Sequence, residues 1–220
     1  FPHQYEGFEE LLKHESFLLA DEQGLGKTKQ AIDVAVNRKI ENNFKHCLIV
    51  CGVNSLKWNW KNEIKIHSDE EAHIIGTRVN TKGKIKEGSL KDRLQDLKEG
   101  RDEFFLIMNI ESVRKPQTKK KNPKTGKMET VKLSDTQKTQ LEIIKEIEKL
   151  SQDGTIGMVI FDEIHKAKNA QSQQGKAIHH LKAHFKLALT GTPLMNQPID
   201  LYNIIKWLGE ERRSFYACRH

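Results

Sequence analysis

The sequence predicts an α/β protein with a mostly parallel central sheet and helices on both faces. Short apolar runs of strand length recur along the 220 residues, with apolar residues at helical spacing between them. In addition, each cluster of chemically suggestive residues directly follows a predicted strand. Ligands of parallel sheets bind at the carboxyl ends of the strands. The two patterns together favour a ligand-binding α/β fold.

The strands are predicted from apolar runs and the helices from helical periodicity. The run at 44–51 has no polar alternation, which is typical of a strand buried on both faces. Predicted strands are 17–20, 44–51, 72–75, 104–108, 156–161 and 185–189. Predicted helices lie within 1–15, from 29 to near 38, and at 55–66, 89–98, 135–150, 173–182 and 198–208, with residues 77–88 as a loop.

A glycine-rich loop, GLGKT at residues 24–28, follows the first predicted strand and precedes a helical pattern. Strand, glycine loop and helix form the context of a phosphate-binding loop, whose backbone N–H groups and helix start attract anions. Lys27 would reach the β- and γ-phosphates, and the Thr28 hydroxyl would bind Mg²⁺. Asp21 occupies the place of the first glycine in the usual pattern. The alternative is a glycine turn that caps an ordinary helix.

Two consecutive carboxylates, Asp162 and Glu163, end the apolar run at 156–161. A parallel strand would deliver them to the same sheet edge as the glycine-rich loop. Asp162 would hold Mg²⁺, and Glu163 would orient and deprotonate an attacking water molecule. Charge stabilisation by Mg²⁺ and Lys27 would supply most of the catalysis. The alternative is a strand that simply ends in polar residues.

The net charge of +7 has one local origin. Residues 114–132 contain eight basic residues and one acidic residue, so the rest of the chain sums to zero. We refer to residues 114–134 as the basic insertion and expect a mobile hairpin or a disordered excursion within the domain. It would either contact DNA through non-specific, salt-sensitive contacts or serve as a solvated loop.

Cysteine content and the absence of targeting features predict a cytoplasmic protein. If the protein is from a bacterium or phage and binds DNA, we expect it to be associated with the nucleoid. Three cysteines do not form a disulfide framework. The sequence shows no apolar run of ~18 residues and no signal peptide, so no membrane partner is expected. It begins with Phe1, and we expect a fragment of a longer chain.

Several segments resemble the motifs of superfamily-two helicases, and more narrowly those of the Swi/Snf-type DNA translocases. The segment DEQGLGKT at 21–28 resembles the family's motif I, DEIH at 162–165 resembles motif II, and LTGTPLMN at 189–196 resembles motif III. Residues 2–7 resemble the adenine-reading stretch, 48–60 resemble motif Ia, and 107–111 occupy the place of motif Ib. The matches follow the family's order over nearly the whole chain. They imply the first, N-terminal RecA-like lobe, a P-loop domain.

The resemblance implies how the chain would bind ATP and Mg²⁺. Thr28 and Asp162 would bind the metal, while Glu163 and Lys27 would serve catalysis. The residues expected to bind ATP are Gln4 at the adenine edge and Gly24, Leu25, Gly26, Lys27 and Thr28 at the phosphates.

It also implies residues that connect ATP to nucleic acid. His165 and Thr190 would couple the state of the nucleotide to the nucleic-acid groove. Ser55, Lys57 and Asn109 would contact the phosphate backbone. Three departures from the family's pattern stand out: Ile164 replaces a small residue, Gly52 stands where motif Ia often has proline, and motif Ib is degenerate.

These observations predict one ATP-binding lobe over residues 1–220 of a DNA-dependent ATPase that translocates on double-stranded DNA. The family's second lobe, which carries transition-state arginines, would be a partner within the same full-length protein. Because residues 1–220 lack these arginines, we expect weak ATP binding and poor ATPase activity of this chain by itself. We also expect a monomer. A strand-separating DNA or RNA helicase lobe and a non-catalytic nucleotide-dependent binding module remain alternatives.

Overall fold

A computed structural model describes residues 2–20, 24–123, 125–191 and 199–209. Strands and helices alternate along the chain. The strands are β1 (Ser16–Leu19), β2 (His46–Cys51), β3 (Ala72–Ile74), β4 (Thr77–Val79), β5 (Ile85–Glu87), β6 (Phe105–Asn109), β7 (Lys119–Lys121), β8 (Met128–Thr130), β9 (Ile156–Asp162) and β10 (Phe185–Leu189). The helices are α1 (Pro2–Leu12), α2 (Lys27–Asn42), α3 (Leu56–His67), α4 (Leu90–Glu99), α5 (Asp135–Gln152), α6 (Gln173–Ala177) and α7 (Ile199–Leu208).

Six strands form the central sheet in the order β1-β10-β9-β2-β6-β3, and every neighbouring pair is parallel. Side chains alternate between two cores. In β2, Leu48 and Val50 join a cluster with residues of α4 to α7, whereas Cys47, Ile49 and Cys51 join a cluster with residues of α1 to α3. The predicted α/β architecture with helices on both faces is therefore confirmed.

Two helices begin at a capping box, in which side chains satisfy backbone N–H groups at the helix start. Ser89 accepts from the backbone N–H of Asp92 at α4, and Ser134 accepts from that of Gln137 at α5. Ser55 precedes α3, but its side chain makes no capping hydrogen bond. The pair Asn54-Ser55 before an apolar helical pattern predicts a side-chain cap, and for Ser55 this prediction is wrong.

The structure contains two antiparallel hairpins outside the central sheet. Strands β4 and β5 pair within residues 77–88, where the sequence predicts only a loop, so that prediction is wrong. The side chains of β5 are all exposed, and no apolar alternation marks the strand in the sequence. Strands β7 and β8 pair within the basic insertion, and every side chain of β8 is exposed.

Other differences concern strand placement and helix ends. The apolar run at 17–20 predicts a buried strand, but β1 is an edge strand in which Leu19 alone is buried and the other three residues are half-buried. Helix α2 continues to Asn42, past the predicted end near Arg38. Within 173–182, α6 ends at Ala177, and a short 3₁₀ turn follows. None of the helices in the described part of the chain is long and apolar enough to cross a membrane.

Candidate active site

The carboxyl ends of five parallel strands lie in one row across the sheet. Leu19 of β1 aligns with Leu189 of β10, and Leu189 aligns with Asp162 of β9. Asp162 aligns with Cys51 of β2, and Cys51 aligns with Asn109 of β6. The segments that follow these residues therefore leave the sheet at one edge. The common sheet edge predicted for the glycine-rich loop and the acidic pair suggests that the strands before them, β1 and β9, are neighbours. That expectation is wrong, because β10 lies between them.

The glycine-rich loop ends directly at the start of α2. Gly24 has φ 84° and Gly26 has φ 76°, a left-handed conformation that favours glycine. Gly26 precedes the first helical residue, Lys27, and supplies no side-chain cap. The first N–H groups of a helix lack intrahelical partners and carry the positive end of its dipole. This helix start is therefore suited to an anion such as a phosphate group.

A cleft of about 670 Å³ lies at this sheet edge. It brings together the phosphate-loop residues and the two carboxylates predicted from the sequence. The lining residues are Gly24, Gly26, Lys27, Thr28, Lys29, Leu56, Asn59, Trp60, Glu63, His67, Asp162, Glu163 and Gly191. Lys27 and Asp162 therefore face the same cleft and do not lie on opposite rims of the sheet.

The Asp162 carboxylate is largely buried at the end of β9 and accepts two hydrogen bonds. Trp60 Nε1 donates to Oδ2 at 2.8 Å, and the backbone N–H of Glu163 donates to Oδ1 at 2.9 Å. Burial raises the pKa of Asp162, while the Trp60 hydrogen bond and the charge of Lys27 act in the opposite direction. A positive charge nearby would therefore stabilise the ionised form of this carboxylate.

The oxygen donors in the cleft fit a magnesium ion. Mg²⁺ prefers oxygen ligands and usually binds through one or two protein groups together with substrate phosphates and water. The Thr28 hydroxyl and the Asp162 carboxylate line the cleft together. Among the described residues, no group of three or more His, Cys, Asp or Glu residues could hold a metal. Phosphate oxygens and water would complete the coordination of a metal ion held by these two side chains.

Glu163 has φ 58°, which places a non-glycine residue in the left-handed region immediately after β9. Such a conformation costs on the order of 1–3 kcal/mol and is common at functional sites. Glu163 Oε2 lies 2.9 Å from His165 Nδ1, and the same nitrogen lies 3.2 Å from Thr190 Oγ1. Burial lowers the pKa of His165, against the effect of the Glu163 charge. The structure thus brings His165 to the predicted base, Glu163, and Thr190 to His165.

The predicted nucleic-acid residues have three different environments. Ser55 is exposed at the start of α3. Lys57 is 3% exposed, and its ammonium group pairs with Glu87 of β5 at 2.8 Å. A phosphate group could therefore reach Lys57 only by displacing this carboxylate. Asn109 is buried and accepts a hydrogen bond from Ser112 at 2.8 Å. The side chain of Gln4, the predicted adenine contact, lies outside the described part of the structure, as do residues 192–196 of the motif III segment.

Trp60 and Gly52 contact the acidic pair, and the sequence did not identify either as a site residue. Trp60 belongs to the apolar face of α3, and its spacing from Ile64 indicates burial but not a hydrogen bond to β9. Gly52 donates its backbone N–H to the carbonyl oxygen of Asp162 at 2.9 Å. One signal in the sequence pointed to Gly52: the family often has proline at this place. Proline has no backbone N–H and could not donate this hydrogen bond to Asp162.

Comparison with known proteins connects this geometry to one family. The model of the SNF2-related domain matches residues 3–216. The chain belongs to the SNF2-related domain family. The resemblance to Swi/Snf-type proteins is therefore confirmed.

Individual relatives cover most of this SNF2-related chain. It is 26% identical over 213 residues to DNA repair protein RAD5 of Candida glabrata, covering 88% of this chain and 18% of the relative. It is 29% identical over 210 residues to ATP-dependent helicase ULS1 of Saccharomyces cerevisiae, covering 87% of this chain and 12% of the relative. The chain thus spans less than a fifth of the length of these two relatives.

A solved structure shares the fold. The Sulfolobus solfataricus SWI2/SNF2 ATPase core in complex with dsDNA has a TM-score of 0.65 at 21% identity, covering 95% of this chain and 35% of that chain. This likeness confirms the RecA-like fold. The SNF2-related domain described here therefore corresponds to about one third of that ATPase core.

Proposed function

We propose that this SNF2-related chain is the first ATP-binding lobe of a DNA-dependent ATPase that translocates on double-stranded DNA. One observation carries the proposal: a single cleft contains Lys27, Thr28, Asp162 and Glu163, supplied by two segments far apart in sequence. This set matches what phosphoryl transfer to water requires, namely a phosphate cradle, a metal site and a base. Single-lobe organisation over residues 1–220 is part of the proposal.

The glycine-rich loop would bind the triphosphate of ATP. The N–H groups at the start of α2 would donate to phosphate oxygens, and the Lys27 ammonium would hold the β- and γ-phosphates. Thr28 and Asp162 would hold Mg²⁺, which when bound neutralises charge on the phosphates. Gln4 would contact the adenine edge, as the family resemblance implies.

Glu163 would act as the general base. Its carboxylate lines the cleft beside Asp162, where it would orient a water molecule in line with the γ-phosphate and accept the water proton. His165 lies against the same carboxylate and also near Thr190, which follows β10. A shift of either residue would reorient the base, which suits the coupling role that we propose for them.

Double-stranded DNA would bind at the same sheet edge. Exposed Ser55 and buried Asn109 are candidates for contacts near the strand ends, and Lys57 would contribute after release from Glu87. The exposed lysines of the basic insertion offer a second, sequence-independent attraction for phosphates. The Sulfolobus SWI2/SNF2 ATPase core was solved in complex with dsDNA, which supports the proposal that this chain binds double-stranded DNA.

The decisive experiment measures DNA-stimulated ATPase in the full-length protein that contains this chain. Removal of a general base typically costs 10²–10⁴-fold in rate. We therefore expect Glu163→Gln to reduce turnover by about 10²–10⁴-fold while ATP still binds. Glu99→Gln, at an exposed carboxylate on α4, is the matched control and should retain full turnover.

The same preparation distinguishes the alternatives. Displacement of a triplex-forming third strand without unwinding of the duplex would support translocation. Unwinding of a tailed duplex would instead favour a strand-separating helicase. A full-length protein that binds ATP but shows no turnover, with or without DNA, would favour a nucleotide-dependent binding module and contradict the enzymatic proposal.

A further inference from the structure

The side chain of Asp162 is held by a group from outside its own strand. Trp60 is 2% exposed and lies on α3, with its indole N–H 2.8 Å from Asp162 Oδ2. Its ring packs in the core cluster with Ile64 and Cys51, so the indole has one available orientation. The other carboxylate oxygen accepts from the backbone N–H of Glu163. Both oxygens are therefore fixed before any ligand arrives.

We propose that Trp60 is a positioning residue for the metal site: its indole N–H sets the rotation of the Asp162 carboxylate so that the remaining lone pairs face the cleft. This inference rests on the proposed function and deepens it. A hydrogen-bond partner that orients a metal-binding group acts on the metal through that group, and its loss typically weakens metal binding about 10–100-fold.

Tryptophan has the chemistry that this role requires. The indole N–H is a donor only, so it cannot bind a metal and cannot compete with Asp162 for one. It carries no charge, so it does not repel a cation in the way that lysine or arginine would. A buried N–H without an acceptor would lose its hydrogen bonding to water with nothing in exchange, which is unfavourable. The contact is therefore favourable for both partners, and the carboxylate is kept in one rotamer.

The main chain of the acidic pair is positioned from the same neighbouring segment. Gly52 donates its N–H to the Asp162 carbonyl oxygen at 2.9 Å. A Cβ atom at position 52 would lie 2.8 Å from the carbonyl oxygen of Glu163, closer than ordinary contacts allow. Segment 52–60, between β2 and the middle of α3, therefore fixes the backbone through Gly52 and the carboxylate through Trp60.

The test is Trp60→Phe, which removes the donor and keeps an aromatic ring. Trp58→Phe is the matched control, because Trp58 lies two residues away on the same helix and is 36% exposed. Mn²⁺ binding with ADP present is measured by electron paramagnetic resonance. ADP affinity in excess EDTA is measured separately. We expect Mn²⁺ to bind about 10–100-fold more weakly to Trp60→Phe, with ADP affinity in EDTA unchanged. Trp58→Phe should match the unaltered protein in both.

Two results would overturn the inference. Unchanged Mn²⁺ affinity in Trp60→Phe would show that the indole N–H does not position the carboxylate. Equal losses of Mn²⁺ affinity and metal-free ADP affinity would assign the ring a packing role only. If Trp60→Phe does not fold, benzothienylalanine at position 60 replaces N–H by sulfur at nearly constant ring size and must give the same selective loss. If the unaltered protein failed to bind Mn²⁺ with ADP, the proposed ATP site itself would be refuted.

Discussion

The carboxyl edge of the sheet and the basic insertion are built in opposite ways. At the edge, the Asp162 carboxylate is largely buried. Segment 52–60 holds the acidic pair through Trp60 and Gly52, and His165 contacts Glu163. In the insertion, β7 and β8 pair mainly with each other, and Met128 is 61% exposed. The first region has a fixed geometry, and the second has a high density of positive charge.

This difference follows from what each region would bind. Metal and phosphoryl chemistry depends on positions within a fraction of an ångström, so those residues sit where parallel strands and two cores restrict them. Attraction of a polyanion depends on charge and reach and needs no fixed geometry. A solvated hairpin is sufficient for that purpose. Substitutions should therefore affect stability in the first region and salt-dependent binding in the second.

The largest expected effect is a difference in the free energy of unfolding between substitutions at two methionines. Met158 in β9 is 2% exposed and packs in the core cluster, whereas Met128 in β8 is 61% exposed. Truncation of a buried methionine to alanine costs about 2–5 kcal/mol in the free energy of unfolding. Surface substitutions usually change it by less than about 0.5 kcal/mol. Met158→Ala should therefore lower the denaturant midpoint strongly, and Met128→Ala should leave it unchanged.

Urea unfolding of both variants, followed by circular dichroism, provides the measurement. A loss in Met128→Ala comparable to that in Met158→Ala would mean that the hairpin is packed as part of the core, and the contrast between the two regions would not hold.

The second expected effect concerns DNA affinity. Lys119, Lys127 and Lys132 are exposed in the basic insertion. Each lysine that neutralises a DNA phosphate contributes about 0.9 to the slope of log affinity against log salt concentration. Replacement of all three by alanine should reduce the magnitude of this slope by up to about 2.7 and weaken DNA binding at low salt. Fluorescence anisotropy of a labelled duplex across a salt series measures the slope.

A matched triple variant replaces exposed lysines elsewhere, Lys45, Lys91 and Lys145, and removes the same net charge. An equal change in slope for both triples would indicate a general effect of net charge. No change for the insertion triple would identify the insertion as a solvated loop, the alternative interpretation of its composition.

The sequence allows the parallel sheet, its faces and the placement of the acidic pair to be predicted, because these follow from apolar periodicity. Buried strands such as β2 and β9 carry continuous apolar runs. The hairpin β4–β5 has no such pattern, since β5 is fully exposed and is defined by backbone pairing. The order of the strands in the sheet also cannot be predicted from the sequence, because the position of β10 between β1 and β9 depends on pairing between distant segments.

The sequence also could not specify which side chains of different helices and strands contact each other. The pairing of Lys57 with Glu87 joins α3 to a hairpin that was not predicted. The bond from Trp60 to Asp162 joins residues that are 102 positions apart. Helical spacing shows that Trp60 faces the core, but the strand end that it contacts depends on how the helix packs across the sheet. Such contacts require the three-dimensional arrangement.

The smallest expected effect is the response to acid, which should come from the sheet and not from the insertion. The insertion contains no histidine. His46, at the start of β2, is 2% exposed, and its Nδ1 atom lies 2.9 Å from the carbonyl oxygen of Glu103. Burial lowers the pKa of His46, and His165 and His179 are shifted in the same direction by burial.

A histidine with a lowered pKa in the folded state binds a proton more readily after unfolding. Its contribution to stability is complete above the unfolded pKa of about 6.5 and is lost as pH falls through the folded pKa. The melting temperature should therefore fall as the pH is lowered below about 6.5. His46→Asn keeps an amide donor near the Glu103 carbonyl oxygen and removes the titrating group, so its melting temperature should fall less over this range. An identical fall in both proteins, measured by differential scanning fluorimetry, would exclude His46 as a source of the acid sensitivity of the sheet.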